Sequence, residues 1–189
     1  MKNIFTAIFC VTLISCKAQQ ILPLNTSAYN APTNSYLKDL NNEFDPFVGT
    51  WMVYYQGKSI KLVVDKEIKI PFEMWGKNFY RDRLMVRYEI KNQNGQILEA
   101  TLNKDFTNDV ALSIEGLKTQ ENGNIVQLIF SGGNCNVGNG FIYFQKINAS
   151  QFYWKYTPAG ATLNDITCPP NLDYKIYLPE KENLVFTKQ

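Results

Sequence analysis

A chain of 189 residues with 45% hydrophobic and 14% aromatic side chains has enough apolar material for one domain with a real core. Its 19 basic and 17 acidic side chains nearly cancel, which argues against nucleic acid as a partner and against electrostatic binding to acidic membranes, since both need a basic face. Histidine is absent, which removes Ser-His-Asp and Cys-His catalysis and most transition-metal sites.

The first element is an export signal. Met1-Lys2-Asn3 is a short basic start, and Ile4 to Ile14 is an apolar run too short for the roughly 20 apolar residues of a membrane span. Leu13-Ile14-Ser15-Cys16 resembles the bacterial lipobox. The resemblance implies that residues 1–15 are a signal peptide, that Cys16 receives a diacylglycerol on its sulfur, and that the mature chain begins there. Several acyl chains anchor durably where one does not. Lys17 stands where an Asp would favour retention in the inner membrane, so the expected address is the cell envelope, at the outer membrane. The periplasmic and surface faces both stay open.

Residues 16–35 are then a lipidated N-terminus and flexible tether: they are polar, lack a period and hold two prolines. About 20 flexible residues would reach roughly 25 Å. Ser35 to Phe44 is expected to form a short helix or turn, with Ser35 as its cap and Leu37 and Leu40 on one face. Asp45-Pro46 ends it.

From Phe47 onward the period is two. Strands are expected at Thr50–Gln56, Ser59–Ile70, Tyr80–Lys91, Gln96–Leu102, Asp109–Leu117, Asn124–Phe130, Gly140–Ile147, Gln151–Tyr156 and Asn183–Lys188, with a weaker one at Tyr174–Leu178. Asn92-Gln93-Asn94-Gly95 and Asn148-Ala149-Ser150 read as tight turns. The pattern predicts an all-β domain over residues 36–189, an antiparallel up-and-down β-barrel of about 8–10 strands, because closure removes the exposed edges of such a meander.

Four cysteines are present. Cys10 lies in the signal and Cys16 carries lipid, so Cys135 and Cys168 remain as an even pair in an exported chain, which reads as a disulfide. Chain entropy gives it roughly 3.5–4 kcal/mol. It would pin the glycine-rich connection 131–140 to the loop holding Cys168-Pro169-Pro170.

Phe47-Val48-Gly49-Thr50-Trp51, opening the first barrel strand, resembles the Gly-x-Trp signature of lipocalin-like (calycin-type) barrels. Asp82-Arg83-Leu84 through Tyr88 to Gly95, Thr101-Leu102, and Leu178-Pro179 through Lys188 extend the resemblance to small lipocalin-like bacterial lipoproteins of unknown function. The resemblance implies that Gly49 allows close packing, that Trp51 plugs the closed end, and that Lys188 stacks on Trp51. It implies no activity.

No nucleophile elbow or phosphate loop is present, and no catalytic residue, cofactor or metal is expected. Asp105, Asp109 and Asp165 are the remaining carboxylates of interest, and turn formation is the reading preferred for them. Arg81, Arg83 and Arg87 form a stripe that either binds an anion or faces solvent beside Glu89. Phe152, Trp154 and Tyr156 share one strand face, and Phe141 and Tyr143 share a face of the next. They line a ligand cavity or belong to the barrel core. The leading expectation is a non-enzymatic envelope lipoprotein whose barrel binds a small apolar or amphipathic ligand. The alternative is a protein-interaction or inhibitor module with a filled barrel, acting on an envelope protein through its disulfide-linked loops.

Overall fold

The computed structural model describes residues 18–160, 163 and 168–189. Cys16 and Asp165, singled out above, lie outside them. In chain order the strands are β1 (Ile21–Pro23), β2 (Tyr36–Lys38), β3 (Gly49–Tyr55), β4 (Lys58–Met74), β5 (Lys77–Lys91), β6 (Ile97–Ala100), β7 (Ile114–Gln120), β8 (Ile125–Phe130), β9 (Gly140–Lys146), β10 (Gln151–Pro158) and β11 (Leu184–Lys188). Short 3-10 turns at Asp45–Phe47, Glu121–Gly123 and Asn134–Asn136 are the only helical pieces among the described residues.

Eight of the strands, β3-β4-β5-β7-β8-β9-β10-β11, follow one another as antiparallel neighbours, and β11 returns to β3. The seam between β5 and β7 is short, with Leu84, Met85 and Val86 opposite Gly116, Glu115 and Ile114. The expected all-β, up-and-down antiparallel barrel is therefore the architecture. Residues 174–178 form no strand.

The barrel follows from the alternation of side chains. Ile60, Leu62 and Val64 on β4, Leu84, Val86, Tyr88 and Ile90 on β5, and Phe152, Trp154 and Tyr156 on β10 all point inward and are buried. Phe144 stacks on Phe152 at 4.3 Å between centroids, Phe152 on Phe186 at 5.4 Å, and Trp51 meets Phe152 edge-on at 4.7 Å. The buried indole N–H groups find partners: Trp51 Nε1 donates to Phe47 O at 2.8 Å and Trp154 Nε1 to Pro179 O at 2.9 Å.

Lys188 Nζ lies 5.2 Å from the Trp51 ring centroid. Gly49 has φ +130°, and a Cβ there would stand 2.8 Å from Lys188 Cε. The small residue at this position lets the lysine stem lie across the strand and reach the indole.

Two expectations for the N-terminal region are corrected. Of the short helix or turn expected over residues 35–44, the helix is absent and turns are present at 40–41 and 43–44, while Tyr36–Lys38 is a strand, parallel to β5 with Tyr36 opposite Tyr80. Leu37 is buried while Leu40 is 51% exposed, so they do not share a buried face. Ser35 Oγ donates to Pro32 O instead of capping a helix, and Asp39 accepts from the backbone N–H groups of Glu43 and Phe44. The described part of the expected tether is also not free. β1 pairs in parallel with β2, and Leu24 and Ala31 are buried. A few apolar residues among Asn and Pro suffice because the barrel supplies the surface they bury.

Part of that surface is a flap that extends from the barrel wall. β4 and β5 run 17 and 15 residues, longer than the barrel wall needs. A bulge between Glu67 and Ile70, with Lys69 at φ +56°, breaks their register, and bulges bend and twist a ribbon. Beyond it the hairpin pairs with β2 and then β1, forming a flap in the order β1-β2-β5-β4. It carries a small core of Ala31, Leu37 and Phe79 packed with Leu22, Phe72 and Met74.

Candidate functional site

The interior of the barrel is occupied. Of the five aromatic residues considered as ligand-lining, Phe152, Trp154 and Tyr156 are core side chains at 4% exposure or less. Tyr156 further donates its hydroxyl to Gly138 O. Phe141 and Tyr143 are not with them. On β9 the inward positions are Ile142 and Phe144, opposite Tyr156 and Trp154. Phe141 and Tyr143 therefore face outward, opposite Thr157 and Lys155. The two aromatic sets lie on opposite faces of one wall.

Concavities lie on the outside, and Phe141 is where they meet. One, of about 430 Å³, runs over β8–β10 past Ile125, Tyr143, Tyr153 and Lys155. A second, of about 300 Å³, lies between the flap and the wall. Its floor is Leu117, Ile129 and Phe141, its roof includes Leu37, Phe72 and Met74, and Trp75 stands at its lip. Apolar walls with few polar groups are the usual make-up of a small-molecule site.

Arg81 lines this second groove and is 5% exposed. Its guanidinium sits 5.0 Å from the Phe72 ring centroid, donates from Nη2 to Leu117 O, and from Nε to Asp82 O at 3.4 Å. The neighbouring carboxylates are engaged elsewhere. Glu115 accepts from Arg83 at 3.0 Å, and Asp82 accepts from Tyr36 Oη at 2.5 Å and from the backbone N–H groups of Asp39 and Lys69 at 3.0 Å. The ion pairs of the described residues leave Arg81 out. Burial pulls its pKa down to about 10, against the upward pull of Glu115. A buried cation without a carboxylate partner is unusual, and here it borders an apolar groove.

The rest of the arginine stripe is an ordinary charged face. Arg83 pairs with Glu67 and Glu115, and Arg87 with Asp65. Asp105 and Asp109 serve turns, accepting from the backbone N–H groups of Thr107 at 2.9 Å and Ala111 at 3.0 Å.

At the mouth of the barrel a polar hollow of about 190 Å³ holds Glu99, Lys104, Asp109, Asp173 and Lys175. Burial holds the Glu99 carboxyl above its ordinary value, although the Tyr88 hydroxyl donates to it at 2.7 Å. Lys104 pairs with Asp109 at 2.9 Å. Beside this hollow the expected disulfide joins Cys135 to Cys168, with Cα atoms 6.0 Å apart.

Sequence reasoning missed the flap groove because it ended the first long strand at Ile70 and began the next at Tyr80. The missed signal is the continued alternation of Phe72 and Met74, then Lys77, Phe79 and Arg81, around a two-residue Trp75-Gly76 turn. Pro71 and a turn that opens with Trp obscured it.

These features define a class: a closed antiparallel barrel with a filled interior and its concave surface outside, under a flap. The chain matches the model of a family of unknown function, DUF6705, over residues 1–189, and it belongs to that family. Neither a curated protein nor a solved structure matches it.

Proposed function

We propose that this chain is a non-enzymatic envelope lipoprotein, anchored through Cys16, that binds a small amphipathic ligand with an anionic head in the groove between flap and barrel. The observation that carries the reading is Arg81, a buried guanidinium that has no carboxylate partner among the described residues and borders an apolar groove. A carboxylate or phosphate head would meet the guanidinium, and an alkyl or ring tail would lie along Phe72, Met74, Ile129 and Phe141. The filled interior supports the outer wall as the binding face, over the inside of the barrel where a lipocalin-like plan would hold a ligand. The lipobox-like segment and the even cysteine pair support the envelope address.

Titration with a medium-chain carboxylic acid carrying a dansyl group tests the reading. Saturable binding is expected, weakened roughly tenfold when the acid is replaced by its methyl ester, about 1.4 kcal/mol. Acid and ester binding equally, or neither binding, sinks it.

A second reading, a protein partner docking on the outer face of β8–β10, is favoured by the exposure of Ile129, Phe141 and Tyr153 in one patch. Phe141→Glu weakens both. Tyr153→Glu lies in the neighbouring concavity and weakens only a partner.

A further inference from the structure

We propose that the flap tip seats on the lipid bilayer beside the acyl anchor, with Trp75 and Tyr29 at headgroup level. This rests on the reading of Cys16 as the lipidated residue.

Strand direction comes first. β1 is parallel to β2, and β2 to β5, so the N-terminal ends of β1 and β5 point the same way. The N-terminal end of β5 is the hairpin tip, Trp75-Gly76. Ile21 lies opposite Tyr36, and Tyr36 opposite Tyr80. From that common level Trp75 lies five residues back along the hairpin, and Cys16 precedes Ile21 by five residues in sequence.

Gln19 and Gln20 are held to the flap. Gln20 O accepts from Tyr36 N at 2.8 Å, Gln19 Nε2 donates to Asn34 O at 2.9 Å, and Asn34 N donates to Asn78 O at 2.7 Å. Between Gln19 and Cys16 the chain spans at most about 11 Å. A lipid on Cys16 therefore holds the bilayer within that distance of Gln19. The 25 Å stand-off that composition suggests shrinks by more than half.

The tip presents what a bilayer interface takes. Trp75 is 67% exposed and Tyr29 73%. The two rings pack edge to face at 6.1 Å. Lys77 Nζ donates to Tyr29 O at 3.0 Å and to Ala31 O at 3.3 Å, fixing that loop against the tip. Trp75 also has φ +52°, followed by Gly76 at +69°. A bulky residue is costly in the left-handed region, and Asn-Gly would make the same turn with less strain. In return the indole gains the edge-on contact with Tyr29 and stays largely exposed. Trp and Tyr rings partition to the headgroup region because they join an apolar body to a polar edge.

The chain carries its own reporter. Of its 3 tryptophans, Trp51 and Trp154 are 1% and 0% exposed, so a membrane-borne quencher reaches Trp75 alone. The full chain, processed in a bacterial host and purified in detergent, is reconstituted into dioleoylphosphatidylcholine vesicles with and without a brominated lipid. Bromine is expected to remove the Trp75 share of the emission, roughly one third if the indoles emit equally, and Trp75→Phe to abolish the quenching. Intact mass of the same sample reads acylation separately. An acylated chain whose Trp75 is not quenched overturns the seating alone. A chain without the acyl mass overturns the Cys16 reading, and the seating with it.

Discussion

Arg81 donates from Nη2 to the carbonyl oxygen of Leu117 and so bridges β5 to β7 just beyond the barrel seam. The seam itself has only three residue pairs. Past it the flap departs, leaving the edge of β7 to be met by side chains: Arg81 at Leu117, and Asn25, which accepts from Thr119 N at 3.0 Å. Arg81 thus has a structural and a recognition role in one group.

The two roles separate by substitution. Arg81→Met keeps the stem packed near Phe72 but leaves the Leu117 carbonyl unpaired, which is expected to cost about 1–3 kcal/mol. Arg81→Lys keeps a charge and loses the fork that holds two acceptors at once. Chemical denaturation is expected to rank wild type above Lys above Met. The acid-over-ester preference is expected to shrink in the Lys variant and vanish in the Met variant. A preference that survives in Arg81→Met places the anionic head elsewhere.

A second pair of substitutions tests the assignment of faces on β9 and β10. Phe152 is 1% exposed and touches Phe144, Trp51 and Phe186. Phe152→Ala is expected to cost about 3–5 kcal/mol. Phe141 is 46% exposed on the outer wall, so Phe141→Ala should change stability by less than about 0.5 kcal/mol while weakening the dansyl probe. Equal destabilisation by the two would contradict the faces described.

What the sequence made legible was local. Period-two alternation located the barrel strands because each wall residue faces either core or water. The disulfide followed from counting cysteines once the N-terminus was read as an export signal. The sign of each face was not legible on β9, where Phe141, Tyr143, Ile142 and Phe144 are all apolar or aromatic, so alternation alone cannot say which pair turns inward. The flap was hidden for a different reason. β1 and β2 are three residues each and parallel, paired to chain far away in sequence, and no local period announces that. Arg81 read as part of a solvated stripe because Arg83 and Arg87, two and six residues on, are just that.

Beside Trp51, Lys188→Ala should cost about 0.5–1 kcal/mol through loss of the cation–π contact and its stem, and Lys188→Arg should restore it. Gly49→Ala is expected to be worse than Lys188→Ala, since it strains the backbone at φ +130° and displaces the same lysine. Combining Gly49→Ala with Lys188→Ala should recover part of that loss, because the clash disappears and only the strain remains. Thermal unfolding of the four chains measures it. Strict additivity would mean that Gly49 is not there to admit Lys188.

Glu99 gives stability a pH dependence of defined sign. Burial raises its pKa in the folded state above the ordinary 4.5, with the Tyr88 hydroxyl pulling the other way. The folded form therefore holds the proton more tightly than the unfolded chain. Its contribution is fully present below about pH 4.5 and is lost as pH rises through the raised folded value. At neutral pH a partly buried carboxylate is left with one good donor, Tyr88 Oη at 2.7 Å. Glu99→Gln keeps an acceptor for that hydroxyl and removes the charge. Its unfolding midpoint should exceed wild type at pH 8 and converge with it at pH 4. Convergence at pH 8 and divergence at pH 4 would reverse the sign, showing that the Tyr88 hydroxyl and Lys104 together outweigh burial at this carboxylate.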